Sequence, residues 1–263
     1  MMGPAGTDAR GAPAAAAAFG VEARGLTKVF HDSRRGDVLA ANDVSFQCRF
    51  SEVFGLLGPN GAGKTTTLRM LASVLRPSAG TAVVGGYDVL QDPLEVRRSL
   101  GYLSANTALY GRLTARETLE YFGRLHGIER DPLAARVDQL LGTFGIRDFA
   151  DVRCEKLSTG MKQKVSIARS VVHDPPVLIL DEPTLGLDIL VASAMLRFVE
   201  DCRRQGKCIV FSTHIMAEVE KLCDRVGIIH QGRLRAVGSL EELRTSTGKH
   251  YLEDVFLSLV EES

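Results

Sequence analysis

Hydrophobic residues fall along this chain in three rhythms, and each predicts a different piece of architecture. Between residues 21 and 50, short β-forming runs (21–26, 38–40 and 44–46) alternate with the turn formers Asp32, Gly36 and Asn42-Asp43, which predicts an antiparallel sheet. From about 92 to 151 the apolar positions take helical spacing. Within that stretch Thr114-Ala115-Arg116-Glu117 reads as a capping box, the hydroxyl and the carboxylate each satisfying the other's free backbone N–H. Asp131-Pro132 reads as a cap followed by a first-turn proline, with Leu133, Val137, Leu140, Leu141 and Phe144 on one face. Beyond 151, helix and strand alternate: helix over 161–173, strand over 177–180, helix over 189–204, strand over 208–211. That alternation predicts an α/β fold on a parallel sheet. Leu252, Val255, Phe256 and Leu259 then repeat at i, i+3, i+4, i+7, a short amphipathic helix at about 250–260 that packs on the domain and carries no chemistry. Residues 1–20, rich in Ala, Gly and Pro and lacking the basic start of a signal peptide, are expected to be a disordered extension.

The densest chemistry lies where the first rhythm ends. Gly58-Pro59-Asn60-Gly61-Ala62-Gly63-Lys64-Thr65 fits G-x-x-x-x-G-K-[ST]. A short buried strand, Val53-Phe54-Gly55-Leu56-Leu57, precedes it, and a helix over 65–75 follows, with Leu68, Leu71 and Leu75 on one face. Glycines let the backbone curl so that several N–H groups converge on a polyphosphate, and the helix N-terminus adds positive potential. Lys64 is expected to reach the β- and γ-phosphates and the Thr65 hydroxyl to ligate Mg²⁺, with Thr66 completing the loop's contacts. This predicts binding of a nucleoside triphosphate.

A second apolar run, Val177-Leu178-Ile179-Leu180, ends in Asp181-Glu182. Burial explains the four apolar residues but not two carboxylates at the C-terminal end of a strand, which is where open α/β sheets bind ligands. Asp181 is placed to share Mg²⁺ with Thr65, and Glu182 to polarise an attacking water; the alternative for Glu182 is a solvated surface acid. With these residues the chain resembles the ATP-binding subunits of ABC transporters, over about 21–259. Leu157-Ser158-Thr159-Gly160-Met161-Lys162-Gln163 is similar to the family's signature segment, with Thr159 and Met161 in place of the usual second Gly and Gln. The resemblance implies that Ser158, Thr159 and Gly160 cap the γ-phosphate held by an opposite subunit. It further implies that Leu187-Asp188 crosses the dimer interface, that His214 in Ser212-Thr213-His214 hydrogen-bonds the γ-phosphate, and that Phe30 stacks on adenine. For Phe30 a place in the core is the competing reading.

The resemblance implies an α/β fold with a P-loop NTPase (RecA-like) core, an antiparallel β subdomain and an α-helical subdomain at about 92–155, all within residues 21–263. The implied cofactors are ATP and Mg²⁺. The implied partners are a separate transmembrane permease and a second ABC subunit in a homodimer, at the cytoplasmic face of the cell membrane. Leu109 to Glu117, Ser158 to Met161 and Leu252-Glu253-Asp254-Val255-Phe256 resemble the subgroup serving ABC-2-type exporters, which includes sodium-efflux and drug-resistance ATPases. One position departs: where the family usually carries a Gln that touches Mg²⁺ and the nucleophilic water, this chain has Ala105. A methyl group binds neither, so either Asn106 or a water fills the role, or hydrolysis is slow or differently coupled.

Charge and cysteine content narrow the classes further. Lys plus Arg equals Asp plus Glu at 32 each, which leaves no basic field to argue for nucleic acid. A nucleic-acid or ribosome-acting ABC ATPase would also carry a second ATPase unit, a long coiled coil or basic linkers. A degenerate, non-hydrolysing subunit is argued against by Lys64, Asp181, Glu182 and His214 all being present. The five cysteines are scattered and odd in number, which fits reduced thiols. No apolar run approaches the 18 residues of a membrane span.

Overall fold

A computed structural model describes residues 19–32, 36–104 and 108–261. Strands β1 (Phe19–Asp32) and β2 (Gly36–Arg49) pair antiparallel, Val21 opposite Cys48 and Phe30 opposite Val38. After β3 (Val53–Leu57), strands β4 (Ala79–Val84) and β5 (Tyr87–Asp88) complete a four-stranded antiparallel sheet in the order β2-β1-β4-β5. The second sheet is built from β3, β6 (Leu100–Leu103), β7 (Val177–Asp181), β8 (Cys208–Thr213), β9 (Arg225–His230) and β10 (Arg233–Gly238). Its order is β10-β9-β3-β8-β7-β6, parallel except for the β9–β10 hairpin.

The unbroken apolar runs of this second sheet have a direct cause. Successive side chains on a strand point to opposite faces, and both faces here are covered. Val177 and Ile179 join one core, with Phe46, Phe54 and Leu68, under the antiparallel sheet and helix α1 (Lys64–Leu71). Leu178 and Leu180 join the other, with Leu119, Leu141, Val165 and Val199 from the helical layer. That layer comprises α3 (Ala115–Leu125), α4 (Arg130–Thr143), α5 (Thr159–Ser170) and α6 (Ile189–Arg204), preceded in the chain by α2 (Pro93–Ser99). A third cluster forms where α7 (Met216–Leu222), α8 (Leu240–Thr247) and α9 (Leu252–Glu261) cover β9 and β10. Leu252 and Val255 of α9 are buried there, with Phe256 and Leu259 packed beside them, as the spacing predicts. The five cysteines are free thiols.

Four local expectations change. The stretch 92–151 is not purely helical, because Leu100–Leu103 is the edge strand β6, paired with β7. A four-residue run that finds its partner far along the chain leaves no local periodicity to read. Helix α1 stops at Leu71, since Ser73 adopts φ 51° beyond the C-cap Ala72. Leu75 therefore lies outside the helix. Helix α4 starts at Arg130 with Glu129 as N-cap and no side-chain cap bond, so Asp131 is a first-turn acid and not the cap. Pro132 remains in the first turn, where its missing N–H costs nothing. Finally, of the extension expected at 1–20, Phe19 and Gly20 instead begin β1, paired with the end of β2, while 1–18, together with Ala105 and Asn106, lie outside the described residues.

Candidate functional site

The cleft that gathers the predicted chemistry opens at the C-terminal ends of β3, β7 and β8. It has a volume of about 150 Å³ and is lined by every residue from Pro59 to Thr66, together with Ala40 and Glu182. Two glycines explain the tightness of the loop. A Cβ on Gly63 (φ 101°) would sit 2.4 Å from the Ala40 carbonyl oxygen, and one on Gly58 would sit 2.3 Å from that of Ile229. The loop is thus clamped between β2 of one sheet and β9 of the other. Gly232 N–H donates to the Ala62 carbonyl at 2.9 Å, closing the clamp.

Lys64 lies inside this curl and not out in solvent as its loop position suggests. Its side chain is 4 % exposed; Nζ donates to the carbonyls of Gly58 (2.6 Å) and Pro59 (3.1 Å) and pairs with Glu182 Oε1 at 3.0 Å. The loop wraps the ammonium because a buried cation has to be hydrogen-bonded and charge-paired.

The two acids differ in their surroundings. Asp181 is buried at the end of β7, and its Oδ1 accepts from Thr65 Oγ1 (3.1 Å) and Ser212 Oγ (2.8 Å). The same Ser212 hydroxyl accepts from the Glu182 N–H at 3.0 Å, and the Ser212 carbonyl accepts from it at 3.2 Å. Glu182 adopts φ 47°, a left-handed conformation that non-glycine residues take only where surrounding contacts hold it. Its carboxylate bridges Lys64 on one side and His214 Nδ1, 3.3 Å away, on the other. It is therefore no solvated surface acid. His214 is set by the turn after β8, where Thr213 Oγ1 donates to Glu218 (2.6 Å) and accepts from Ile215 N (3.0 Å).

Ser212 is the residue whose part the sequence did not disclose. The only signal was a hydroxyl at the end of an apolar strand. Its use depends on β7 and β8 being neighbours in register, Asp181 opposite Ser212.

Phe30 and the signature residues are not in this cleft. Phe30 is 41 % exposed, its ring 5.4 Å from the Lys28 ammonium, so it is not a core residue; it pairs with Val38, two positions before Ala40 on β2. Ser158 is the N-cap of α5, accepting from Met161 N at 3.3 Å, and Ser158 and Thr159 are exposed. A Cβ on Gly160 would lie 4.0 Å from Val191 of α6, so this N-terminus adjoins α6 and not the phosphate loop. Asp188 caps α6, accepting from Leu190 N and Val191 N at 3.0 Å each, beside the strongly exposed Ile189 and Leu190. Gln163 ties the two regions, donating to the Pro183 carbonyl at 3.0 Å. No helix among the described residues is long and apolar enough to cross a membrane.

Comparisons with known proteins identify the family to which this fold belongs. Residues 41–185 match the family model described as ABC transporter. The ABC transporter ATP-binding protein NatA of Bacillus subtilis (strain 168) is 46% identical over 230 residues, 87% of this chain and 93% of that protein. The linearmycin resistance ATP-binding protein LnrL of the same organism is 34% identical over 220 residues, 84% of this chain and 71% of that protein. A solved structure of an ATP binding subunit of an ABC transporter superposes with a TM-score of 0.82 at 32% identity, over 91% of this chain and 98% of its own. The chain belongs to the ABC transporter family, as one of its ATP-binding, ATP-hydrolysing subunits.

Proposed function

We propose that this subunit drives export through a separate transmembrane permease, binding MgATP at the cleft and working as a homodimer at the cytoplasmic membrane face. One observation carries the reading: Lys64, Thr65, Asp181, Glu182 and His214 meet in a single network at the strand ends. Thr65 and Asp181 are hard oxygen donors 3.1 Å apart, a pair suited to Mg²⁺, which takes few protein oxygens and completes its shell with water and phosphate. Bound there, the ion would neutralise charge on the β- and γ-phosphates.

The chain's own groups account for the rest. Backbone N–H groups of residues 58–65, with Thr66, cradle the phosphates, and Lys64 exchanges Gly58, Pro59 and Glu182 for phosphate oxygen. That exchange releases the Glu182 carboxylate to accept a proton from the attacking water. His214 keeps its contact with Glu182 and donates toward the γ-phosphate. Phe30, exposed on the same sheet as Ala40, stacks on adenine. Ser158, Thr159 and Gly160, remote from their own cleft and at a free helix N-terminus, cap the γ-phosphate of a second copy. Ala105, where the family carries Gln, makes turnover depend on other groups to place the water.

The permease docks on the helical part, about 92–155, in a groove beside Tyr110 described below. The cargo we propose is sodium ions or drugs. The motifs at 109–117 and 252–256 support it by resemblance, and LnrL is named for resistance to linearmycin. Phosphate release by the purified chain tests the core of the reading. Lys64→Ala should abolish turnover and nucleotide binding, and hydrolysis at the wild-type rate by that variant would refute the site. Sodium-indicator or drug accumulation in inverted vesicles that carry the chain with its permease tests the cargo.

A further inference from the structure

A groove of about 690 Å³ runs between α2, α3 and the C-terminal end of α5. Its walls are apolar and open: Leu125, Val74, Tyr110 and Leu94 are 68, 60, 57 and 54 % exposed. Its charged lining is entirely cationic, with Arg97 and Arg98 at the rim, Arg169 in the floor, and no aspartate or glutamate among its described lining residues. Arg98 is already paired with Glu95. Arg169 is different. It sits in the last turn of α5, 8 % exposed, and its contact is the face of Phe122, with the guanidinium 5.0 Å from the ring centroid. Among the described residues no carboxylate reaches ion-pair distance of it.

A guanidinium held this deep pays for lost hydration, and a ring face returns only part of that. Buried charges are stable when paired, and since none of the described residues completes this pair, the open side of the groove is where a partner can supply it. We infer that the groove receives an amphipathic segment of the membrane subunit carrying a carboxylate between apolar anchors, the anchors lying on Val74, Leu94, Tyr110 and Leu125 and the carboxylate meeting Arg169. This rests on the docking reading above and deepens it by naming the chemistry of the docked segment. A bidentate Arg–carboxylate pair fixes the angle of the segment as well as its presence, so motion of α5, whose other end is Ser158, is transmitted.

The test uses the full chain in its own membranes. Leu125 and, separately, Val74 are replaced by p-benzoylphenylalanine, crosslinked by light, and the attached peptide is sequenced by mass spectrometry. The expected product is a cytoplasmic loop of a membrane protein with Asp or Glu within about four residues, one helical turn, of the attachment point. Arg169→Gln should then weaken co-purification of that protein about 30-fold, while Arg169→Lys, which keeps the charge but loses the bidentate fork, recovers only part of it. Arg169→Glu should be rescued by exchanging the partner's acid for Arg. A melting curve and the ATPase rate of the isolated Arg169→Gln chain report whether it is folded. Should it not be, neutralising the partner's acid to its amide must itself give the 30-fold loss. A membrane-protein crosslink with no acid in reach, or no loss on removing either charge, overturns the carboxylate pairing and leaves groove docking standing. Crosslinks from the groove only to a second copy of this chain, or none to a membrane protein, overturn the docking reading and the pairing with it.

Discussion

The nucleotide cleft and the groove beside Tyr110 are two ways of holding a buried arginine or lysine. In the cleft, Lys64 is 4 % exposed and saturated: two carbonyls and Glu182 surround it, and Glu182 in turn holds His214. In the groove, Arg169 is nearly as buried but, among the described residues, meets an aromatic face and no carboxylate. The first network closes within the chain. The second is left open toward the groove. Burial alone therefore does not mark a catalytic group; what matters is whether the chain itself completes the pairing.

The largest expected effect breaks the closed network. Glu182→Gln preserves shape and can still hydrogen-bond water, but accepts no proton, so the chemical step should slow about 10²–10⁴-fold, some 3–5 kcal/mol of barrier. ATP affinity should hold or rise, because a negative charge facing the γ-phosphate is gone. Single-turnover phosphate release measures the first, and gel filtration with ATP against ADP reveals the dimer held between Lys64 of one copy and Ser158–Gly160 of the other. A variant that hydrolyses at the wild-type rate would remove Glu182 from the chemistry.

A second effect sharpens the contrast from the groove side. His126 and His173 stack there with ring centroids 3.6 Å apart and planes 2° from parallel. Burial, with His126 adding like-charge repulsion, lowers His173 from 6.5 to about 4, and burial lowers His126 as well. Above pH 6.5 both states of the protein hold His173 neutral. As pH falls below 6.5 the unfolded chain takes up the proton first, so stability is lost progressively down to about pH 4. The loss from His173 is roughly 3 kcal/mol. Urea denaturation across that window should show the decline, and His173→Phe should flatten it. An unchanged slope in that variant would mean that carboxylates account for the whole effect.

The smallest effect concerns what holds the groove wall in place. Thr114 Oγ1 accepts from Glu117 N at 3.1 Å while Glu117 Oε2 accepts from Thr114 N at 2.8 Å, at the start of α3, which carries Phe122 and Leu125. Thr114→Ala should cost about 1 kcal/mol in thermal or chemical denaturation and leave ATP hydrolysis by the isolated chain unchanged. Loss of hydrolysis with the fold retained would show that the two regions are not separable.

Much of the site was legible because its signals are local. A glycine-rich loop with Lys64 and Thr65 needs a strand before it and a helix after it, and all three lie within 53–75. Two acids closing an apolar run, and a histidine after another, are equally local. The capping box at Thr114 and the amphipathic face of α9 likewise follow from spacings of three and four residues, as does the α/β alternation beyond 151. What tertiary structure decided are the relations between distant segments. Ser212 acquires its role only because β8 lies in register beside β7. Leu100–Leu103 is a strand only because Val177–Asp181 is there to pair with it. Lys64 is buried because β2 and β9 close on the phosphate loop from two different sheets, and Arg169 has no carboxylate partner among the described residues because the elements that meet around it bring none to the groove. Periodicity and motif are written by neighbours a few residues apart, whereas pairing, burial and unmet charge are set by residues that are far apart in sequence and touch only in the fold.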